Sequence, residues 1–266
     1  MARVKNKVIW LTGASSGIGE ALAYELARRG ARLILSARRK EELERVKGNC
    51  SVEAQANIHT LPLDLTQPAT LQLSTQAAIQ VFGHIDILIN NAGMRQRSLI
   101  QETSLEMDRK MMEVNYFGTI AITKYLLPHF VQRKGGHFAN ISSVTGKFGT
   151  PYRSGYAATK HALHGFFDAL RAEHWKDHVS VTMICPGFIR TNAYGKPSAD
   201  ENSPATKEEE FRARGKSPEW CAHKIVRAIE RRKEEVYLGG REVMGVYIKR
   251  FFPSLFSRII RKVSTR

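Results

Sequence analysis

A chain of 266 residues with 42% hydrophobic content is long enough for one large core and short for two, so one α/β domain is expected. Its apolar runs fall well short of the ~20 residues that cross a bilayer, and the basic start, 1–7, runs straight into a strand-like segment with no signal-peptide pattern, so the expectation is a cytoplasmic protein with no transmembrane helix. The formal charge of +16 would attract any polyanion, but no nucleic-acid-binding module is recognisable; Cys50, Cys185 and Cys221 are too scattered for a disulfide framework or a zinc site, and no metal is expected.

In chain order, Val8–Leu11 is a β-type run ending at Thr12-Gly13, and Ile18–Arg29 reads as a helix closed by Gly30. Strand candidates recur at 33–35, 60–63, 85–89, 137–141, 179–184 and 235–238, with helical periodicity between them. Seven apolar strands alternating with helices predict a Rossmann-type, doubly wound parallel sheet with helices on both faces, in a single domain over 1–245. Ligands of such sheets bind at the carboxyl ends of the strands. Residues 192–217 interrupt the pattern with prolines, glycines and charges and are expected to form a mobile substrate lid. Ser217-Pro218-Glu219 then starts a helix that continues to Arg231.

Chemistry concentrates at three places. Thr12-Gly13-Ala14-Ser15-Ser16-Gly17-Ile18-Gly19 lies at the first strand-to-helix junction, where glycines let a dinucleotide pyrophosphate approach backbone N–H groups and the helix dipole. After the second strand the chain reads Ser36-Ala37-Arg38-Arg39-Lys40, with no carboxylate for an adenosine ribose and with Arg38 able to fork onto a 2′-phosphate, so NADP(H) is expected over NAD(H). Asp64, after the third strand, either accepts from an adenine amino group or serves as a cap or turn residue before Thr66. Tyr156 and Lys160, four apart on a predicted helix, share one face; the ammonium would lower the phenol's pKa, with Ser143 thirteen residues upstream as a third group.

Taken together, Thr12–Gly19, Asn90-Asn91-Ala92-Gly93, Asn115, Ser143, Tyr156, Lys160 and Pro186-Gly187 resemble the short-chain dehydrogenase/reductases in order and spacing, over nearly the whole chain. Leu35–Arg39, Leu61–Thr66 and Lys160–Leu163 look like the dehydrogenase/reductase member 7 subgroup of that family. The resemblance implies that Tyr156 is the general acid or base, that Lys160 holds the nicotinamide ribose, that Ser143 holds the substrate oxygen and that Asn115 anchors a relay water. Ser142 is the neighbouring alternative for the hydroxyl. The resemblance also implies that Gly13, Ser15, Ser16, Gly17, Ile18, Gly19, Asp64, Leu65, Asn90, Asn91, Ala92 and Gly93 line the cofactor, with Pro186, Gly187, Ile189 and Thr191 toward its carboxamide. Ser16 stands where many NADP-linked members carry a basic residue, a departure for which Arg39 is the candidate compensation. The resemblance further implies a homo-dimer or homo-tetramer.

Met94, Val144, Phe148, Tyr152, Phe188 and Tyr194 fall on segments expected to border the nicotinamide, which suggests a hydrophobic carbonyl substrate contacted by Ser143, Phe148, Tyr156 and Phe188. The tail, 246–266, carries a helical apolar stripe opposed by Lys249, Arg250, Arg258, Arg261, Lys262 and Arg266, broken at Pro253. It either makes peripheral contact with a membrane, or packs on a neighbouring subunit or over the substrate pocket. The enzyme reading competes with a catalytically idle, NADP(H)-responsive binding protein acting through this tail; the full set of Asn115, Ser143, Tyr156 and Lys160 favours the enzyme, because a sensor needs no proton path.

Overall fold

β1 (Val8–Thr12) is buried at every position because helices cover both of its faces. Its side chains alternate between two cores: Ile9 and Leu11 join Leu22, Leu26, Ile225 and Ile229 on one face, while Val8 and Trp10 join Leu126, Phe130, Phe138 and Phe167 on the other. The structure, a computed structural model, describes residues 4–190 and 215–262.

From β1 the chain runs through α1 (Gly17–Arg28), β2 (Arg32–Ser36), α2 (Lys40–Gly48), the short α3 (Val52–Gln55), β3 (Ile58–Thr60), α4 (Pro68–Phe82) and β4 (Ile87–Asn90). It continues through α5 (Leu105–Met112), α6 (Gly118–Gln132), β5 (Gly136–Ile141), α7 (Ser154–Glu173) and β6 (Val179–Pro186). After 215 follow α8 (Pro218–Glu230), β7 (Glu235–Leu238), α9 (Met244–Phe251) and α10 (Pro253–Lys262). All seven strands are parallel, in the order β3-β2-β1-β4-β5-β6-β7. The order reverses at the β1/β4 pair, so the crevice beyond the ends of those two strands is the ligand-binding position of a doubly wound sheet.

Local chemistry sets the boundaries. α1 ends where Gly30 takes φ +75°, and the Ser217 hydroxyl accepts from the Trp220 amide to start α8. β3 ends earlier than the predicted 60–63 run. Leu61 and Leu63 still donate to the Leu35 and Ala37 carbonyls, so extended pairing with the β2 side continues past Thr60, and Pro62 falls between them where its missing N–H faces the open edge and costs no ladder bond. Trp10, fully buried, satisfies its indole N–H on the Ser36 hydroxyl at 2.9 Å, tying β1 to β2.

A third, smaller core holds the tail: Val144 and Phe148 pack with Val246 and Phe256. Pro253 separates α9 from α10, as expected of a residue that cannot donate into a continuing helix. None of the described helices is long and apolar enough to cross a membrane, and the three cysteines are free thiols.

Candidate active site

The glycine loop is shaped by contacts that leave no room for side chains. Gly13 and Gly17 have φ of +66° and +60°. A Cβ on Gly13 would meet Ala92 Cα at 2.7 Å, and one on Gly19 would meet the Gly13 carbonyl oxygen at 2.0 Å. Asn91 locks the loop from behind, its Nδ2 donating to the Thr12 and Gly13 carbonyls at 3.1 and 3.0 Å, while the Thr12 hydroxyl accepts from the Asn91 and Ala92 amides. Asn91 therefore fixes the loop's shape. Asn90, expected along the cofactor, instead points into the sheet, where its Nδ2 donates to Asn140 Oδ1 at 2.8 Å and to the Thr123 hydroxyl. Strand alternation sends consecutive residues to opposite faces, and Asn90 falls on the inner one.

Arg38 and Arg39 are exposed just beyond β2, close to the loop. Asp64 performs the turn role: its Oδ1 accepts from the Thr66 amide at 3.0 Å and hydroxyl at 2.8 Å. Leu65 is buried, and its carbonyl lies where a Cβ on Gly118 would come within 2.6 Å. Sequence reasoning missed Arg45. Its guanidinium bonds Glu20, Glu42 and the Ser15 carbonyl, which braces the loop from α2.

Tyr156 and Lys160 lie one turn apart on α7, both buried, with the ammonium 5.7 Å from the tyrosine ring centre. Lys160 Nζ donates to the Ile141 carbonyl at 2.7 Å, which anchors α7 to the end of β5. Burial pushes the Tyr156 phenol up, but Lys160, Arg95, Arg153 and a hydrogen bond with Ser143 outweigh it, and the net displacement is downward. Burial is also the main influence holding the Lys160 ammonium below its usual value; the Tyr156 charge opposes it. Arg95 and Arg153 had no sequence signal beyond their charge.

The two adjacent serines face opposite ways. Ser143 reaches Tyr156 and also bonds Thr145 and the Pro186 carbonyl, whereas the Ser142 hydroxyl bonds His164 Nε2 at 3.1 Å on the inner side. Burial and then Lys147 push His164 down to about 4, so it is neutral near pH 7. Cys185 Sγ lies 3.6 Å from the same nitrogen.

Asn115 sits on a π-helical turn, Glu113–Phe117, between α5 and α6. Such a turn re-aims one side chain out of the α-helical register. The Asn115 side chain pairs with both backbone groups of Met94 and donates to the Thr159 hydroxyl on α7. It borders Gly93 together with Lys160, since a Cβ on that glycine would stand 3.1 Å from Asn115 Oδ1 and 3.8 Å from Lys160 Nζ. Asn115 is thus brought to the tyrosine and lysine, with its amide nitrogen already committed to the protein.

Pro186-Gly187 follows β6. Glu242, also missed from sequence, holds this turn: its Oε1 accepts from the Phe188 and Gly240 amides at 2.9 Å each. Ile189 is buried and bridges to Lys216. Phe148, expected as substrate wall, packs against the tail, its ring 5.0 Å from that of Phe256. Thr191, Tyr194 and the predicted lid up to 214 lie outside the described residues.

The profile described as short chain dehydrogenase matches residues 7–202. The chain is 38% identical over 265 residues to dehydrogenase/reductase SDR family member 7B of Bos taurus, spanning 97% of this chain and 82% of that protein. It is 48% identical over 198 residues to dehydrogenase/reductase SDR family member 7 of Homo sapiens, spanning 73% and 58%. A solved short-chain dehydrogenase from Streptomyces avermitilis superposes with a TM-score of 0.79 at 30% identity, covering 98% of this chain and 99% of that one.

Proposed function

Because this chain belongs to the short chain dehydrogenase family, in the subgroup of dehydrogenase/reductase SDR family member 7, we propose that it transfers hydride between NADP(H) and a hydrophobic ketone, aldehyde or secondary alcohol, with Tyr156 as general acid and base. Membership makes it an oxidoreductase that uses a nicotinamide cofactor. The observation that carries the finer reading is the convergence of a buried phenol, ammonium and hydroxyl, Tyr156, Lys160 and Ser143, beside Gly93.

The glycine cradle fits such a cofactor, since the contacts at Gly13 and Gly19 leave bare backbone at the start of α1 for a pyrophosphate. Ser15, Ser16, Gly17 and Ile18 would complete that wall, and Ala92, Gly93, Pro186, Gly187 and Ile189 would flank the nicotinamide half. Preference for the 2′-phosphate rests on exposed Arg38 and Arg39 and on the missing acid after β2. When bound, the cofactor supplies the hydride that reduces the carbonyl carbon. Ser143 holds the substrate oxygen, and Tyr156 Oη releases its proton to that oxygen as charge builds there, which leaves an alcohol and a phenolate. Lys160 and the two nearby arginines stabilise the phenolate until solvent returns a proton. The reverse direction uses the same groups, with the phenolate as base.

An NADPH-oxidation screen against hydrophobic ketones and aldehydes tests the reading. Replacing Tyr156 by Phe should lower kcat by about 10²–10⁴-fold; turnover at the wild-type rate removes it from the mechanism. Replacing Arg38 and Arg39 together by Ser should raise KM for NADPH far more than for NADH, and an equal change in both defeats the cofactor assignment.

A further inference from the structure

The last two helices carry an apolar edge that stays open among the described residues. α10 is seated by Phe256 and Ile260, which pack toward Phe148 and Val144. At 100° per residue, Phe252, Leu255 and Ile259 fall on the flank next to that seat, and Phe251 of α9 extends it. These four are 62%, 49%, 40% and 68% exposed. Isolated exposed apolar side chains are ordinary; a contiguous helical edge of them marks a contact surface.

Charge identifies the partner. The remaining flank of α10 holds Arg258, Arg261 and Lys262, α9 adds Lys249 and Arg250, and the sequence has no carboxylate after Glu242. Two grooves meet at Tyr237 and Tyr247 beside these helices. One, about 480 Å³, is rimmed by Lys224, Arg227, Arg231 and Lys233 against the single carboxylate of Glu235, and the other, about 530 Å³, by Lys249, Arg250 and Lys147, which pairs with Glu235 at 2.7 Å. Apolar edge and cationic flank therefore lie side by side over α8, α9 and α10. A second copy of the chain fits poorly, because two-fold pairing through this face sets like charges against each other.

We propose that the α9–α10 face docks on an anionic lipid bilayer, with Phe251, Phe252, Leu255 and Ile259 in the acyl boundary and the flanking lysines and arginines at the headgroups. Docking puts the bilayer on the outer side of the helix whose inner side covers Val144 and Phe148, next to Ser143.

Flotation of the full chain with vesicles tests this without any assay of turnover. Protein should rise with phosphatidylcholine vesicles containing about one-third phosphatidylserine and stay behind with phosphatidylcholine alone. Leu255→Asn with Ile259→Asn, and separately Arg258→Glu with Arg261→Glu, should each lower partition by roughly tenfold or more. All four positions are on the outer flanks, and unchanged thermal melts verify folding. The proposal is overturned if protein stays behind with both vesicle types, if neutral and anionic vesicles take up equal amounts, or if the apolar pair floats like wild type, which signifies adsorption by charge alone. Concentration-dependent dimers abolished by the same substitutions would assign the face to a second copy and equally overturn it.

Discussion

Replacing Gly19 by Ala tests whether the glycine loop is set by steric necessity. The added Cβ would lie 2.0 Å from the Gly13 carbonyl oxygen and 2.6 Å from Asn91 Nδ2, where ordinary contacts begin at about 3 Å. The carbonyl must retreat by roughly 1 Å, and it has nowhere to go, because Asn91 Nδ2 binds it at 3.0 Å and the Ala92 backbone stands behind Gly13. Overpacking costs about 1–3 kcal/mol and the lost hydrogen bond about 1 more. A loss of about 2–4 kcal/mol lowers Tm by roughly 5–15 °C in a chain of this size. The displaced atoms belong to the phosphate cradle, so the NADPH Kd should rise at least about tenfold beyond the stability loss. The control is Gly165→Ala, in the exposed interior of α7 with nothing within 4 Å, which should stabilise by about 0.5–1 kcal/mol. Thermal unfolding with and without saturating NADPH, and fluorescence titration of the cofactor, give both quantities. A Gly19→Ala protein with wild-type Tm and Kd refutes the steric account.

Lys160→Met removes the nearest cation from the Tyr156 phenol, so the pH limb of alcohol oxidation, which rises as the phenol ionises, should move to higher pH. Measured at saturating cofactor, an unmoved limb would detach Lys160 from the tyrosine's ionisation. Acid stability follows from two buried histidines. Burial and then Arg232 bring His137 down to about 3, and burial and then Lys147 bring His164 down to about 4. Both are neutral in the fold and protonate near pH 6.5 once unfolded, so stability is full above pH 6.5 and falls as the pH drops toward 4. His137 alone accounts for about 2 kcal/mol between pH 6.5 and 4.5. Urea midpoints across that range should flatten for His137→Gln, and an unchanged pH slope would show that this histidine is not held neutral.

The sheet was legible because burial on both faces demands apolar strands, and six of the seven predicted strands overlap the observed ones along most of their length. β3 was displaced because backbone pairing with the β2 side runs on to Leu63 while the regular strand spans only Ile58–Thr60. The tyrosine, lysine and serine were singled out by spacing, and their roles and the asparagine by the family resemblance, but the surroundings of these groups were not legible. Arg95 and Arg153 act on Tyr156 through space, Arg45 reaches Ser15 from another helix, and Glu242 clamps a turn far from it in sequence. Local composition carries no trace of such contacts. The π-helical turn at Asn115 is likewise invisible to a reading tuned to 3.6 residues per turn. The packing of Phe148 on the tail was not legible, because its aromatic partner Phe256 lies more than a hundred residues away in sequence.

The Glu242 clamp makes the carboxyl end a lever. One carboxylate oxygen joins the amide after Gly187 to the amide of Gly240, and α9 starts two residues after Glu242, without an intervening linker. A pull on α9 is therefore delivered to the Pro186-Gly187 turn instead of being absorbed by slack chain. A restraint that shifts α9 or α10 would load the same turn. One at the amino terminus leaves that lever untouched.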